Sequence, residues 1–150
     1  MVALKALYGA VLSGLLLSSD VASADGLNAR AKAKSRYWGT CINPTVMNDA
    51  SANTIARNGE DFGSYTAENE MKFDALEPSR GVFNYANADR IVAQAKANSM
   101  HVRCHALIWH SQVPSWVTNG GFNRDTLISI MNTHIQNVVT HFKGKKLKRC

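Results

Sequence analysis

The stretch YTAENEMKFDALEPSRGVFNYANADRIVAQAKANSMHVRCHALIWH, Tyr65 to His110, decides the fold. It opens within GSYTA, an aromatic and β-branched run that suits a strand, and enters a polar loop at Glu68. Pro78 and Gly81 mark a turn. From Tyr85 to Ser99, the residues Ala88, Ile91, Val92 and Ala95 fall on one helical face. Met100 to Trp109 then reads as a buried strand, with His105 and His110 bracketing an apolar run that carries Trp109. Imidazoles and an indole cost free energy to bury unless they find partners, so the end of that strand is expected to use them.

The same alternation continues on both sides. Arg36–Ile42 is a short aromatic and β-branched run that predicts a strand, and Asn48–Gly59 has helical spacing through Ala52, Ile55 and Ala56. Downstream, Leu127, Ile128, Met131, Ile135, Val138, Val139 and Phe142 recur at helical spacing, and Gly144 stands where a helix C′ residue belongs. The order β-α-β-α-β-α predicts an α/β fold with a parallel sheet and crossover helices, doubly wound or barrel. Neither GxGxxG nor GxxxxGK[ST] follows a strand, which argues against a nucleotide site. Polar clusters instead follow the second and third strands: Glu68, Asn69, Glu70 and Lys72, then His105, Trp109, His110 and Gln112. Barrel enzymes place their chemistry at those C-terminal strand ends. Charged and hydrogen-bonding groups around an aromatic platform suit a hydroxyl-rich ligand such as a sugar.

Chain-wide properties bound the rest. A length of 150 residues allows one ordinary domain, and 45% hydrophobic with 19% charged residues is globular composition. Residues 1–24 form an expected secretory signal: Lys5, an apolar core from Ala6 to Leu17, and a small-x-small site at Ala22-Ser23-Ala24. That core is shorter than the roughly 20 residues a membrane span needs. Cys41, Cys104 and Cys150 are an odd set, so at most one disulfide can form, and their spacing fits no zinc site.

ENEMK, DALEPSRGVF and HALIWHSQ, taken in order, closely resemble the secreted endo-1,4-β-xylanases of glycoside hydrolase family 10. LNARAKAKSRYWGT looks like that family's opening helix and first barrel strand, so the resemblance covers roughly Leu27 to Lys145. It implies the N-terminal portion, about three β/α units, of a (β/α)8 TIM barrel, incomplete, with residues 25–145 as the partial domain. It implies retaining endo-hydrolysis of xylan, no cofactor, no metal, a monomer, and xylan or xylo-oligosaccharide as partner. By the same resemblance Glu68, Asn69 and Lys72 bind the two sugars before the scissile bond. His105 and Trp109 hold the sugar at the cleavage point, Gln112 reaches the one beyond, and His110 braces the site. The family's acid/base Glu ends a fourth strand and its nucleophile Glu a seventh. Both lie beyond residue 150, so the resemblance implies no catalytic residue within these residues and an inactive chain as written. A non-catalytic sugar-binding fragment and an unstable gene product are the alternatives.

Other readings are plainer. From the residues alone, His105 reads as a satisfied core histidine, and His105 with His110, five apart on a strand, make a poor metal pair. Trp38 and Trp116 read as packing residues, and His134 and His141 as neighbours of the last helix's apolar face. Glu70 reads as structural. The five basic residues within Lys143–Arg149 could suggest a nucleic-acid patch; residues 146–150 are instead read as a non-family tail, with no nucleic acid or membrane as partner. Ser99 and Cys104 stand where the family usually has glycine. Ser99 is expected to strain a left-handed cap, and Cys104 to crowd the barrel interior beside His105. Export predicts a mature, secreted product beginning at Asp25. N-terminal sequencing checks this, and a stable intracellular product that keeps Met1 contradicts it.

Overall fold

The computed structural model describes residues 26–145 and Leu147; the expected signal segment and most of the expected tail lie outside the described residues. Three strands, β1 (Gly39–Ile42), β2 (Ser64–Ala67) and β3 (His101–Arg103), form one parallel sheet in the order β1-β2-β3. Among the described residues seven helices complete the elements: α1 (Leu27–Lys32), α2 (Pro44–Asn48), α3 (Ala50–Ala56), α4 (Phe73–Leu76), α5 (Ala86–Ala97), α6 (Ser115–Thr118) and α7 (Arg124–Phe142). The α/β expectation is met: the described sheet is wholly parallel, and each strand is followed by helix.

Register fixes which side chains face which way. Cys41 pairs with Thr66, and Thr66 with Arg103. These three form one row on the open face, because alternate strand residues point to opposite sides. Ile42, Tyr65, Ala67 and Val102 go to the other face and pack against Ala88, Ile91, Val92 and Ala95 of α5. That helix face is the one the spacing predicts. Tyr65 is fully buried, and its hydroxyl donates to the Ala56 carbonyl at 3.0 Å. Burial pushes its phenol above the usual value.

Several expectations change. The third strand is not Met100–Trp109 but only His101–Arg103, because its ladder ends where β2 ends and the chain then bends over the strand tips. Cys104 packs in the helix-side core, and Arg103 faces the open side instead. The helix expected over 48–59 is α3, which runs only from Ala50 to Ala56 and follows a separate α2; Asp49 Oδ1 accepts from Ala52 N–H at 2.7 Å and caps it. Ile55 is 63% exposed. Trp38, expected to pack, is 51% exposed, whereas Trp116 does pack, edge-on to Phe73.

The largest change is on α7. Its buried line is Ile130, His134, Val138 and Phe142, and Ile128, Met131 and Val139 are exposed. The reason is His134, which is completely buried with its ring 3.9 Å from Phe73. Its Nδ1–H donates to Glu77 Oε2 at 3.0 Å. Glu77 is also buried, and its Oε1 accepts from Gly81 N–H at 2.8 Å. Its carbonyl accepts from Trp116 Nε1 at 3.0 Å. Two apolar stripes compete for the inside of α7, and the one containing a partner for Glu77 is chosen.

A second clasp ends the helix. His141 Nε2 lies 2.9 Å from both Asp89 oxygens, and Lys145 Nζ donates to Asp89 Oδ1 at 2.7 Å. Partial burial works against the Asp89 carboxylate, but Lys145 and His141 outweigh it and hold its pKa below the usual value. Gly144 takes φ 76, the C′ conformation expected of it, and the chain returns so that Leu147 forms a parallel bridge with Val102. That places Leu147 beside β3, against the core.

Ser99 also matches expectation. It has φ 56, its N–H bonds to the Lys96 carbonyl at 3.2 Å, and Met100 N–H bonds to the Ala95 carbonyl at 2.8 Å. This is a Schellman cap with a residue bearing Cβ at its left-handed position. Ser99→Gly should therefore raise stability by about 1 kcal/mol in thermal or chemical unfolding; an unchanged or lower midpoint contradicts this.

Glu77 and His134 yield the second prediction. Burial holds the His134 pKa below its ordinary 6.5, against Glu77 and the Leu107 carbonyl, which both favour the charged ring. The unfolded chain thus binds a proton near 6.5 that the folded chain refuses until lower pH. Stability is then full above that value and falls as pH drops below it. Urea midpoints between pH 7.5 and 5.5 should show this slope, and His134→Phe should flatten it. Glu77→Ala should cost about 1–3 kcal/mol by leaving the buried Nδ1–H of His134 without an acceptor.

Candidate sugar-binding groove

The groove is built at the C-terminal strand tips. After Ala67 the chain leaves the sheet with Glu68 N–H still bonded to the Ile42 carbonyl at 3.2 Å, which keeps ENEMK pinned across β1. After Arg103 the 104–112 loop folds over the same tips, and Asp74 N–H bonds to the Gln112 carbonyl at 3.2 Å. The two polar clusters, remote in sequence, are stitched together by that bond.

Side chains then converge. Lys72 Nζ donates to Asn69 Oδ1 at 2.9 Å and to Gln112 Oε1. Gln112 Nε2 donates to the same Asn69 oxygen at 3.2 Å. Gln112 adopts φ 53, a left-handed turn conformation more usual for glycine or asparagine. Lys72 Nζ also sits 4.8 Å from the centre of the Trp109 ring, a cation–π distance. The His105 and Trp109 ring centres are 6.4 Å apart, and His110 meets Trp109 edge-on at 5.0 Å. Trp109 is 38% exposed, so its indole forms a wall open to solvent and is not part of a buried strand.

A cavity of about 450 Å³ opens beside this set, lined by Cys41, Thr66, Ala67, Glu68, Asn69, Lys72, Arg103 and His105. The structure thus brings Glu68, Asn69, Lys72, His105, Trp109 and Gln112 into one contiguous surface, with the exposed His110 edge-on to Trp109. Glu68 is the only carboxylate in the cavity lining. Glu70 turns away, its Oε2 accepting from Asn69 N–H at 3.1 Å. No two carboxylates therefore face each other across this cavity among the described residues. The arrangement can orient hydroxyl groups but holds no acid and nucleophile pair.

Asn43 is the residue that the sequence reading missed. It follows β1, its Oδ1 accepts from Val46 N–H at 2.8 Å, and its Nδ2 donates to Glu68 Oε2 at 2.7 Å. One amide thereby caps α2 and fixes the Glu68 rotamer, leaving the second carboxylate oxygen for a ligand. The signal was available, since Asn43 lies at the C-terminal tip of a strand. Arg103 was missed too, because a run read as buried hides which residues alternate outward.

The chain is similar to known proteins in both sequence and fold. The profile of Glycosyl hydrolase family 10 matches residues 26–149, four residues past the expected domain edge at Lys145. Endo-1,4-beta-xylanase 1 of Humicola insolens is 41% identical over 90% of this chain and 32% of its own length. Endo-1,4-beta-xylanase 1 of Gibberella zeae is 46% identical over 80% of this chain and 34% of its own. Among solved structures, native xylanase 10B from Thermotoga maritima superposes with a TM-score of 0.75 at 33% identity, covering 82% of this chain and 38% of that one. Xylanase 10B from Thermotoga petrophila RKU-1, in complex with xylobiose, gives 0.73 at 32%, covering 79% and 37%. The chain spans about a third of the length of these curated relatives. On the profile match and the shared fold, the chain belongs to glycosyl hydrolase family 10.

Proposed function

We propose that these residues supply the glycone wall of a xylan groove and form the binding half of a secreted endo-1,4-β-xylanase. The observation that carries this is the convergence of Glu68, Asn69, Lys72 and His105 on one cavity, with Trp109 and Gln112 beside it. Lys72 and Asn69 present fixed donors and acceptors to sugar hydroxyls. Trp109 offers a flat face to the C–H surface of a pyranose. The carboxylate of Glu68, held by Asn43, accepts from a hydroxyl on the sugar farther from the scissile bond. Preset orientation of this kind lowers the barrier of a reaction whose chemistry lies elsewhere in the site.

Retaining cleavage needs two carboxyl groups about 5–5.5 Å apart, one as acid/base and one as nucleophile. Glu68 has no such counterpart in the cavity, and we assign the pair to strands four and seven of the complete barrel. The protein is exported, its signal removed after Ala24, and acts as a monomer on xylan or its oligosaccharides. No helix among the described residues is long and apolar enough to cross a membrane.

Calorimetric or NMR titration of the purified chain with xylobiose tests the reading. Lys72→Ala and His105→Ala should each weaken binding by about tenfold or more, as expected for loss of hydrogen bonds to charged or strongly oriented groups. Trp109→Ala should do so through loss of stacking. The 150-residue chain should release no reducing sugar from xylan above a blank. Parental affinity in all three variants contradicts the site, and hydrolysis abolished by Glu68→Gln contradicts the division of labour.

A further inference from the structure

We infer that the chain carries a second binding site, for a small aromatic carboxylate, at the end of the sheet opposite the groove. The site is a cavity of about 300 Å³ at the N-terminal ends of the strands. Four segments enclose it: α1, the lead-in to β1, the turn before β2, and the turn between α5 and β3. It shares no lining residue with the groove cavity, so the inference goes beyond the xylan reading and stands without it.

Charge gives the sign of the ligand. Lys32 and Arg36 line the cavity, and no Asp or Glu does. Among the described residues, neither side chain makes an ion pair or a hydrogen bond. Arg57 adds positive charge behind Asn98, a lining residue that its Nε meets at 3.4 Å. Glu60 and Asp61, in the turn before β2, stand outside the lining, and Asp61 Oδ2 accepts from Asn58 Nδ2 at 2.7 Å. A cleft lined by one sign of charge gathers the opposite one.

Size and surface give the rest. The volume equals about ten waters at roughly 30 Å³ each and reaches the lower bound of roughly 300 Å³ for small-molecule sites. An inorganic anion would leave most of it empty. Tyr37 and Phe62 add aromatic surface, and the Tyr37 ring centre lies 5.3 Å from that of His101. One exposed ion pair contributes little, so two cations and a ring contact are needed together.

Backbone strain marks the same place. Among the described residues three that are not glycine have positive φ: Ser35 at 55, Ser99 at 56 and Gln112 at 53. Gln112 belongs to the groove, and both serines line this cavity. Such residues cluster at functional sites, where the surrounding structure holds them in place. Neither serine hydroxyl bonds to another described residue, which leaves both to meet a carboxylate. Ser99 brings its hydroxyl at the cost of a Cβ in a left-handed cap that glycine would relieve.

Titration of the purified chain with benzoate, benzyl alcohol, acetate and inorganic phosphate decides the matter. Benzoate should bind about tenfold more tightly than benzyl alcohol, the ring without charge, or acetate, the charge without ring. Added salt should weaken benzoate and leave benzyl alcohol unaffected. Lys32→Gln and Arg36→Gln, both at exposed positions, should each weaken benzoate by about threefold or more. Ser99→Gly should weaken it by about threefold while the protein becomes more stable, a combination that loss of fold cannot imitate. Xylobiose affinity should stay parental in all three variants. Benzoate affinity unchanged in both cation variants overturns the site, and so does competition between benzoate and xylobiose. Benzyl alcohol, acetate or phosphate binding as tightly as benzoate overturns the assignment to an aromatic carboxylate.

Discussion

A buried carboxylate, Glu77, facing a buried imidazole, His134, is the constraint on which the rest of this structure depends. Removing either group from water is costly, and the cost is offset because both oxygens of the carboxylate are engaged. Gly81 N–H takes one oxygen and His134 Nδ1 the other. The geometry fits a neutral ring donating Nδ1–H, since Nε2 finds no partner of good hydrogen-bond geometry. Through the Trp116 indole on its carbonyl, Glu77 also reaches the segment between β3 and α7. One residue therefore joins the turn after α4, the α6 segment and the long helix α7.

That junction matters for the groove because the groove is made of loops. ENEMK and the 104–112 loop have no ladder of their own beyond the strand tips. Their positions come from what lies beneath them: the Asp74–Gln112 backbone bond, the α4 turn and the aromatic packing around His134. The chemistry then follows from placement. Lys72 is shared among two amides and an indole, so its ammonium is oriented before any sugar arrives, and little side-chain entropy remains to be lost on binding.

Much of this was legible in the sequence, for identifiable reasons. The strand–helix–strand rhythm shows because α5 carries a clean apolar face in Ala88, Ile91, Val92 and Ala95. The residues of the proposed groove stand out because polar clusters at the ends of apolar strands are anomalous. What was hidden is equally specific. α7 carries two apolar stripes, and spacing alone cannot reveal that a histidine, not an aliphatic residue, chooses between them. HALIWH is apolar enough to read as a strand, yet its partner strand ends at Ala67, so no ladder continues and Trp109 emerges at the surface. Cys104 was expected in the barrel interior, yet it packs on the helix side and Arg103 takes the open side, since which residue points inward depends on register with Thr66.

The protein contains three tryptophans, Trp38, Trp109 and Trp116, which makes the central claim directly measurable. Indole N–H resonances followed during a xylobiose titration report each of them separately. If the groove lies where the structure places it, the Trp109 indole shifts saturably, together with the Gln112 side-chain amide and with one common dissociation constant. Trp38, at the opposite end of the strands, and Trp116, bonded to Glu77, stay still. A titration that moves Trp38 or Trp116 and leaves Trp109 unchanged would contradict the account.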